Sequence, residues 1–325
     1  MNKPKVLIPY QLEAAARAYI AEHCEIIEFP QGRKLDQALL HDLVSDIDGM
    51  LQAGVRIDAD LLAHAPQLKI VANCSVGYNN FDTEAMKARG VLGTNTPYVL
   101  DDTVADLVLA LMLAAARRVA ELDLRVKAGE WESSLKGEAA FGVDVHHKTL
   151  GIIGMGRIGE AVAKRAKFGF DMDIAYTNRS RKPEAERTYD ARYLPLETLL
   201  READFIVLMT PLTPQTRRMI GKEQFAIMKR TAVFVNASRG QTVDEEALIE
   251  ALRDGTIYAA GLDVFEQEPI DPANPLLALP NAVTLPHIGS ATHKTRTDMA
   301  MRAARNLVAG VTGLVPPDVV AELRS

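Results

Sequence analysis

Short apolar runs alternate with amphipathic stretches along most of this chain. In the first third, strands are predicted at residues 5–8, 26–29, 47–51, 68–73 and 91–94, with helical patterns between them. After residue 149 the rhythm returns, with strands predicted at 150–153, 173–177, 205–209, 232–236, 259–262 and 282–285. Alternation of this kind is typical of parallel sheets covered by helices. We therefore expect an α/β protein with two doubly wound, Rossmann-like parallel sheets.

A long helical pattern separates the two alternating regions. Residues 102–127 are rich in Ala, Leu and Val without an interruption, so they predict one helix that connects two domains and also supports a dimer contact. A final amphipathic helix is predicted at 293–313, where the chain most simply returns to the first domain. We expect a flavodoxin-like domain at 1–98 plus 290–325 and a Rossmann domain at 99–289.

A glycine-rich turn follows the strand at 150–153. Gly154, Gly156 and Gly159 have the GxGxxG spacing, and an amphipathic run from 157 to 168 comes next. Such a turn lets the backbone approach a pyrophosphate at a helix N-terminus. The residues expected to bind a dinucleotide here are Gly154, Met155, Gly156, Arg157, Ile158 and Gly159. The domain at 99–289 is therefore the predicted dinucleotide-binding domain and the domain at 1–98 plus 290–325 the predicted substrate domain, with the active site expected in the cleft between them.

The end of the next predicted strand indicates which dinucleotide is bound. Residues 173–177 lead into Asn178, Arg179, Ser180 and Arg181, where an NAD enzyme would place an acidic residue on the ribose. Guanidinium groups beside small polar side chains suit a 2′-phosphate instead. We expect NADP(H) to be preferred, with NAD(H) as the alternative; a solvated surface turn would also explain these residues.

Composition narrows the class of protein. The chain has 325 residues, 48% of them hydrophobic, and its 37 basic and 43 acidic side chains, which are mixed along the chain, give a net charge of −6. This argues against a nucleic-acid or anionic membrane surface. Cys24 and Cys74 are expected to be reduced, and the short apolar run near the start predicts neither a signal peptide nor a membrane span, so the expected location is the cytoplasm.

Three charged or titratable residues follow predicted strands of the second region. Arg239 could fix a carboxylate and polarise a carbonyl, and His287 could exchange a proton beside a carboxylate such as Glu268. Taken singly, Arg239 could be a surface residue paired with Asp244, and His287 could be structural. Their occurrence in series at strand ends of one dinucleotide fold favours catalysis.

The adjacent His146 and His147 resemble metal ligands at first sight. Neighbouring residues on an extended segment point to opposite sides, so we expect no metal there or elsewhere.

The whole chain resembles the D-isomer-specific 2-hydroxyacid dehydrogenase family, and within it bacterial enzymes that reduce glyoxylate, hydroxypyruvate and 2-ketogluconate. The matching runs are SVGYNNFD (75–82), TVADLVLALMLAAARR (103–118), VHHKTLGIIGMGRIG (145–159), NASRG (236–240), AAGLDVFEQEPI (259–270) and PHIGSATHKTR (286–296). The resemblance implies that Arg239 is the substrate-binding catalytic arginine, His287 the acid/base and Glu268 its partner. It places the substrate carboxylate on the amides of Val76 and Gly77. It further implies cofactor contacts by Thr103, Pro211, Thr216, Ala237, Arg239, Asp263, His287 and Gly289.

The implied reaction is hydride transfer from NADPH to carbon 2 of a small 2-keto acid, with His287 as proton donor, in a homodimeric enzyme. Two alternatives stay open: a dinucleotide-sensing binding protein of the same fold, and a D-3-phosphoglycerate dehydrogenase-like enzyme. The identity of the keto acid is also open, because Ser134 stands three residues after Trp131, where related eukaryotic enzymes carry a second tryptophan.

Overall fold

The structure is a computed structural model that describes residues 3–29, 35–131 and 140–324. Its chain divides into two compact units. Unit 1 comprises residues 1–100 and 291–325, and unit 2 comprises residues 101–290. These limits lie within two residues of the domain limits expected from the sequence. The substrate and cofactor roles of the two units stay predictions.

Unit 1 is built on a five-stranded parallel sheet. Its strands are β1 (Lys5–Ile8), β2 (Glu25–Glu28), β3 (Gly49–Gln52), β4 (Ile70–Asn73) and β5 (Leu92–Thr94). The helices between them are α1 (Ala14–His23), α2 (Gln37–Val44), α3 (Ala59–His64) and α4 (Thr83–Ala88). The strand order β2-β1-β3-β4-β5 is that of flavodoxin-like folds.

Aspartates begin three of the helices of unit 1. The carboxylates of Asp36, Asp58 and Asp82 each accept a hydrogen bond from the backbone N–H three residues later, at 2.9 to 3.1 Å. Such a cap satisfies one of the amides that a helix start leaves without a partner. Asp82, the last residue of the SVGYNNFD run, is therefore a helix cap.

Unit 2 contains a seven-stranded parallel sheet. Its strands are β6 (Thr149–Ile153), β7 (Asp173–Thr177), β8 (Arg192–Tyr193), β9 (Phe205–Leu208), β10 (Val233–Asn236), β11 (Ala259–Leu262) and β12 (Ala282–Thr284). Its helices are α5 (Asp101–Ala116), α6 (Val119–Lys127), α7 (Arg157–Phe170), α8 (Pro183–Tyr189), α9 (Leu196–Glu202), α10 (Lys222–Ala226) and α11 (Glu245–Arg253). The order β12-β11-β10-β9-β6-β7-β8 extends the Rossmann order by one strand. The predicted fold class is confirmed.

The last long helix, α12 (His293–Val311), belongs to unit 1. Its buried face consists largely of small and aliphatic side chains, which pack with apolar residues of β1, β3 and β4 in one core cluster. Gly310 is required at this contact, because a Cβ there would lie 2.5 Å from a side-chain carbon of Ile70. The sequence prediction of a final helix at 293–313 agrees with α12 to within two residues.

The prediction of one helix over 102–127 is wrong. The structure has two helices, α5 and α6, separated at Arg117 and Arg118, and Arg118 has a left-handed backbone with φ of 56°. The backbone N–H of Val143 donates to the carbonyl oxygen of Ala116 at 2.9 Å. This contact comes from a distant part of the chain and satisfies a carbonyl at the end of α5, so the apolar pattern alone did not reveal the break. The two-residue strand β8 was also missed, because it is too short to show a pattern.

Both cysteines are free, and burial raises the pKa of the Cys24 thiol to about 11. Among the helices that the structure describes, none is long and apolar enough to cross a membrane.

Candidate active site

The three glycines of the GxGxxG turn differ in their geometry. Gly154 has φ of 103°, in the region that disfavours side chains, and a Cβ there would lie 2.9 Å from the backbone of Met209. A Cβ on Gly159 would lie 2.6 Å from the carbonyl oxygen of Gly154, so α7 packs directly on the turn. Gly156 has open space at the Cβ position. The backbone at Gly156 is therefore accessible to a ligand.

The N-terminus of α7 follows this turn. Gly156 is its N-cap, and no side chain caps the first amides of the helix. Uncapped amides and the positive end of the helix dipole favour an anion. Arg157, the first residue of α7, pairs through Nε with Asp101 Oδ2 at 3.1 Å. These residues fit the pyrophosphate of a dinucleotide.

The turn after β7 presents two exposed arginines. Arg179 has no hydrogen bond or ion pair with any residue that the structure describes. Arg181, in contrast, pairs with Glu186 through Nη2 and Oε2 at 2.7 Å. The carbonyl oxygen of Asn178 accepts a hydrogen bond from the hydroxyl of Tyr193. The sequence analysis gave the two arginines the same expected role, but only Arg181 is held by a partner among the described residues.

The loop after β9 carries two further residues expected to contact the cofactor. The hydroxyl of Thr216 donates to the carbonyl oxygen of Pro211 at 2.6 Å and accepts from the backbone N–H of Thr213 at 2.8 Å. The Thr216 hydroxyl therefore holds the shape of the loop, and its contact with a cofactor stays a prediction. A cofactor contact by Thr103, in the first turn of α5, also stays a prediction.

His287 and Glu268 form the central hydrogen bond of the site. Nδ1 of His287 lies 2.7 Å from Oε2 of Glu268, and Oε1 of Glu268 accepts the backbone N–H of Phe265 at 3.1 Å. The carboxylate is therefore held at both oxygens. Because it engages Nδ1, it fixes the imidazole orientation and leaves Nε2 as the atom that can exchange a proton with a substrate.

The electrostatics keep Glu268 ionised. Burial acts to raise its pKa, but the hydrogen bond from His287 and the positive charges of His287 and Arg239 act more strongly, and the pKa lies below the ordinary value. At neutral pH the pair therefore contains a carboxylate that accepts from the imidazole.

The backbone at His287 is held in a left-handed conformation, with φ of 52°. Asp263, at the end of β11 and almost fully buried, accepts the backbone N–H groups of Ile288 and Gly289 at 2.7 and 2.8 Å. Burial raises the pKa of Asp263, although these hydrogen bonds and the charge of His287 oppose the rise. Asp263 thus fixes the turn that presents the imidazole. Its predicted contact with the nicotinamide stays a prediction.

Arg239 lies on a tight loop after β10. The side chain of Asn236 accepts from the backbone N–H of Ser238 and donates to the carbonyl oxygen of Arg239, which folds the loop through Ala237 back on itself. The guanidinium is largely desolvated, which lowers its pKa despite the nearby charge of Glu268.

Gly240 brings this loop against the residues that follow β11. A Cβ on Gly240 would lie 1.8 Å from the backbone carbon and oxygen of Phe265. Only glycine allows this approach, and Phe265 N–H in turn binds Glu268. The loop that carries Arg239 and the loop that carries Glu268 are therefore positioned together.

In unit 1, the loop after β4 contains Val76 and Gly77. The carbonyl oxygen of Val76 accepts from the amide of Asn95 at 2.8 Å, and that of Gly77 accepts from the amide of Asn73 at 2.8 Å. Among the described residues, no acceptor contacts the N–H groups of Val76 and Gly77. Fixed carbonyls and unsatisfied amides make such a loop suitable for an anion.

The part of the chain that the structure describes contains one group with possible metal ligands, His41, Asp60 and His64. The rings of His41 and His64 are stacked 3.7 Å apart and tilted by only 9°. A metal lies close to the plane of each imidazole that binds it, so these rings would have to rotate first. His146 and His147 are not in that group. Ser134 lies outside the described residues.

The fold and the site together define a dinucleotide-binding α/β protein with an arginine, a carboxylate and a histidine that follow three adjacent strands of one sheet. A family model described as D-isomer specific 2-hydroxyacid dehydrogenase, NAD binding domain, matches residues 109–289. The chain belongs to the D-isomer-specific 2-hydroxyacid dehydrogenase family and is thus an oxidoreductase of the nicotinamide-dependent class.

Similar proteins extend this finding. Glyoxylate/hydroxypyruvate reductase B of Erwinia tasmaniensis is 51% identical over 98% of this chain and 99% of its own length. A protein from Thermus thermophilus has a crystal structure with 44% identity and a TM-score of 0.90, over 98% of this chain and 100% of its own. The NADPH-dependent glyoxylate/hydroxypyruvate reductase of Sinorhizobium meliloti, solved with NADP and malonate, is 33% identical with a TM-score of 0.88, over 99% and 98% of the two chains.

Proposed function

We propose that the chain reduces a small 2-keto acid to the D-2-hydroxy acid with NADPH, and that glyoxylate, hydroxypyruvate or 2-ketogluconate is the substrate. The observation that carries the proposal is the pair formed by His287 Nδ1 and Glu268 Oε2 beside the charge of Arg239. The names of the relatives from Erwinia tasmaniensis and Sinorhizobium meliloti support glyoxylate and hydroxypyruvate.

Each residue of the site has one role in this reaction. A reduced dinucleotide held at residues 154–159 would supply a hydride to carbon 2 of the keto acid. His287 donates the proton from Nε2 to the ketone oxygen, while Glu268 stabilises the imidazolium that precedes the transfer. Arg239, poorly solvated and positively charged, stabilises the negative charge that develops on that oxygen.

The substrate carboxylate is assigned to the amides of Val76 and Gly77. Support comes from the unsatisfied N–H groups of that loop and from the substrate class, since every 2-keto acid carries a carboxylate beside the reacting carbonyl.

NADPH rather than NADH is proposed as the cofactor. The turn after β7 has no acidic residue and has Arg179 exposed and unpaired among the described residues. The pyrophosphate is assigned to the turn at residues 154–159, where Gly156 leaves the backbone open.

Initial rates test the proposal. NADPH and NADH oxidation would be measured with each of the three keto acids at equal concentration, for the wild type and for Arg179→Ala. We expect NADPH to be oxidised faster than NADH, and Arg179→Ala to raise the KM for NADPH about tenfold with little change for NADH, because the lost contact is charge-assisted. Cofactor binding without turnover of any of the three substrates would contradict the reductase assignment and favour a dinucleotide sensor.

We also infer that the enzyme is a homodimer and that it acts in the cytoplasm, where two free cysteines would stay reduced. Support for the dimer comes from α6. None of its residues is buried, and Val119, Leu124, Val126 and the nearby Trp131 and Phe141 are exposed. A helix without a buried residue that exposes several large apolar side chains is typical of a surface covered in an assembly.

Leu124→Asp is therefore expected to shift the protein from dimer to monomer in sedimentation velocity at micromolar concentration, because a buried charge would be left unpaired in the interface. Leu314→Asp is the matched control. Leu314 is 67% exposed, close to the 68% of Leu124, but it belongs to unit 1, whereas Leu124 belongs to unit 2. Equal sedimentation of both variants and the wild type would argue against this interface.

A further inference from the structure

The turn between β7 and α8 is held by a network centred on Tyr176 and Glu186. Tyr176 is fully buried, and its hydroxyl donates to Oε1 of Glu186 at 2.6 Å while it accepts the backbone N–H of Lys182 at 2.6 Å. Glu186 thus connects α8 to the last part of the turn that carries Asn178, Arg179, Ser180 and Arg181. A buried hydroxyl with both a donor and an acceptor role fixes the groups on either side of it.

The same carboxylate binds Arg181 side-on. Nε of Arg181 donates to Oε1 of Glu186 at 3.0 Å, and Nη2 donates to Oε2 at 2.7 Å. The guanidinium also lies 5.8 Å from the centre of the Tyr193 ring. Two parallel hydrogen bonds define the plane of a guanidinium as well as its position. Among the described residues, Nη1 of Arg181 has no acceptor and stays available to a ligand.

We propose that Glu186 is a positioning residue for cofactor selectivity, which holds Arg181 so that its Nη1 edge acts together with Arg179 on the 2′-phosphate. This inference rests on the NADPH preference proposed above. Glu186 does not touch the phosphate. It removes the freedom of a long side chain before the cofactor binds, and preorganisation of this kind increases affinity without a new contact.

Glu186 has two opposing effects on a bound phosphate. Its charge repels the phosphate, and its hydrogen bonds orient Arg181. The carboxylate accepts three hydrogen bonds, from Tyr176 and twice from Arg181, and these bonds lower its pKa and compensate its charge locally. We therefore expect orientation to dominate, and the sign of the affinity change in a variant decides between the two effects.

The test measures dissociation constants of NADPH and NADH by fluorescence titration of the full chain. For Glu186→Gln, we expect the constant for NADPH to rise about five- to tenfold and that for NADH to stay within about twofold, because one side chain loses its preorganisation. Glu184→Gln is the matched control. It removes the same charge from the same helix, and Glu184 has no hydrogen bond or ion pair with the described residues. Arg181→Lys keeps the charge but cannot form the two-point contact, so a similar rise is expected.

A double variant separates orientation from charge. If Glu186 acts through Arg181, Glu186→Gln has no further effect in an Arg181→Ala background. An unchanged or lower constant for NADPH in Glu186→Gln would overturn the inference, and so would an equal rise for NADH, which indicates general support of the fold. Wild-type protein that binds both cofactors equally would instead overturn the proposed NADPH preference, and the inference with it.

Discussion

His287→Asn is expected to lower kcat for 2-keto acid reduction by about 10²- to 10⁴-fold, the usual contribution of a positioned general acid. The imidazole is the group held by Glu268 at 2.7 Å with Nε2 left to exchange a proton. Asparagine is the appropriate replacement because residue 287 has φ of 52°, a left-handed conformation that asparagine tolerates better than most residues. The variant therefore removes the titratable group without adding backbone strain.

The matched control is His147→Asn. His147 is exposed, has φ of 59° and precedes β6, so it lies at the opposite edge of the parallel sheet from the residue that follows β12. His147→Asn should keep wild-type kcat, and both variants should bind NADPH about as tightly as the wild type. A kcat within about tenfold of wild type for His287→Asn would rule out His287 as the proton donor.

Gly240→Ala should lower kcat/KM by at least about 10²-fold, since displacements near 1 Å in a catalytic arrangement have effects of that size. The added carbon would lie 1.8 Å from the backbone of Phe265, so one loop must move. Movement of the first loop displaces Arg239, and movement of the second displaces Glu268 through the bond from Phe265 N–H. Overpacking of this kind should also lower the melting temperature.

Gly169→Ala tests whether any added methyl group has this effect. Gly169 lies in α7 with open space at its Cβ position, so alanine should stabilise the helix by about 0.8–1 kcal/mol and leave the kinetics unchanged. Calorimetry and steady-state rates on both variants provide the comparison. Wild-type activity and melting temperature in Gly240→Ala would contradict the close approach of the two loops.

The fold could be predicted from the sequence where the relevant pattern is local. The apolar runs at β1, β7 and β11 predicted those strands to the residue, because buried parallel strands are apolar on both faces. The break between α5 and α6 could not be found in this way, because it depends on a hydrogen bond from Val143 to Ala116, 27 residues apart. Local periodicity contains no information about such a contact.

The candidate site shows the same division. Arg239, Glu268 and His287 could be selected because each follows a strand of one predicted sheet, and parallel strands bring their carboxyl ends to one edge. The residues that hold these three side chains in place were not identified from the sequence as positioning residues. Asn236 and Gly240 shape the arginine loop, and Asp263 binds the turn at His287 across 25 positions of sequence. The pairing of Arg181 with Glu186 was missed as well, because Arg181 lies in the turn before α8 and no helical spacing connects the two residues.

The position of α12 in the chain has a consequence for synthesis on the ribosome. Unit 2 is complete in the nascent chain at residue 290, whereas the sheet of unit 1, whose strands all precede residue 95, still lacks the helix that covers β3 and β4. Apolar side chains such as Ile70 therefore lack their packing partners on α12 during the translation of all of unit 2. Incomplete chains that end before residue 293 expose this face, which makes them natural clients for chaperones.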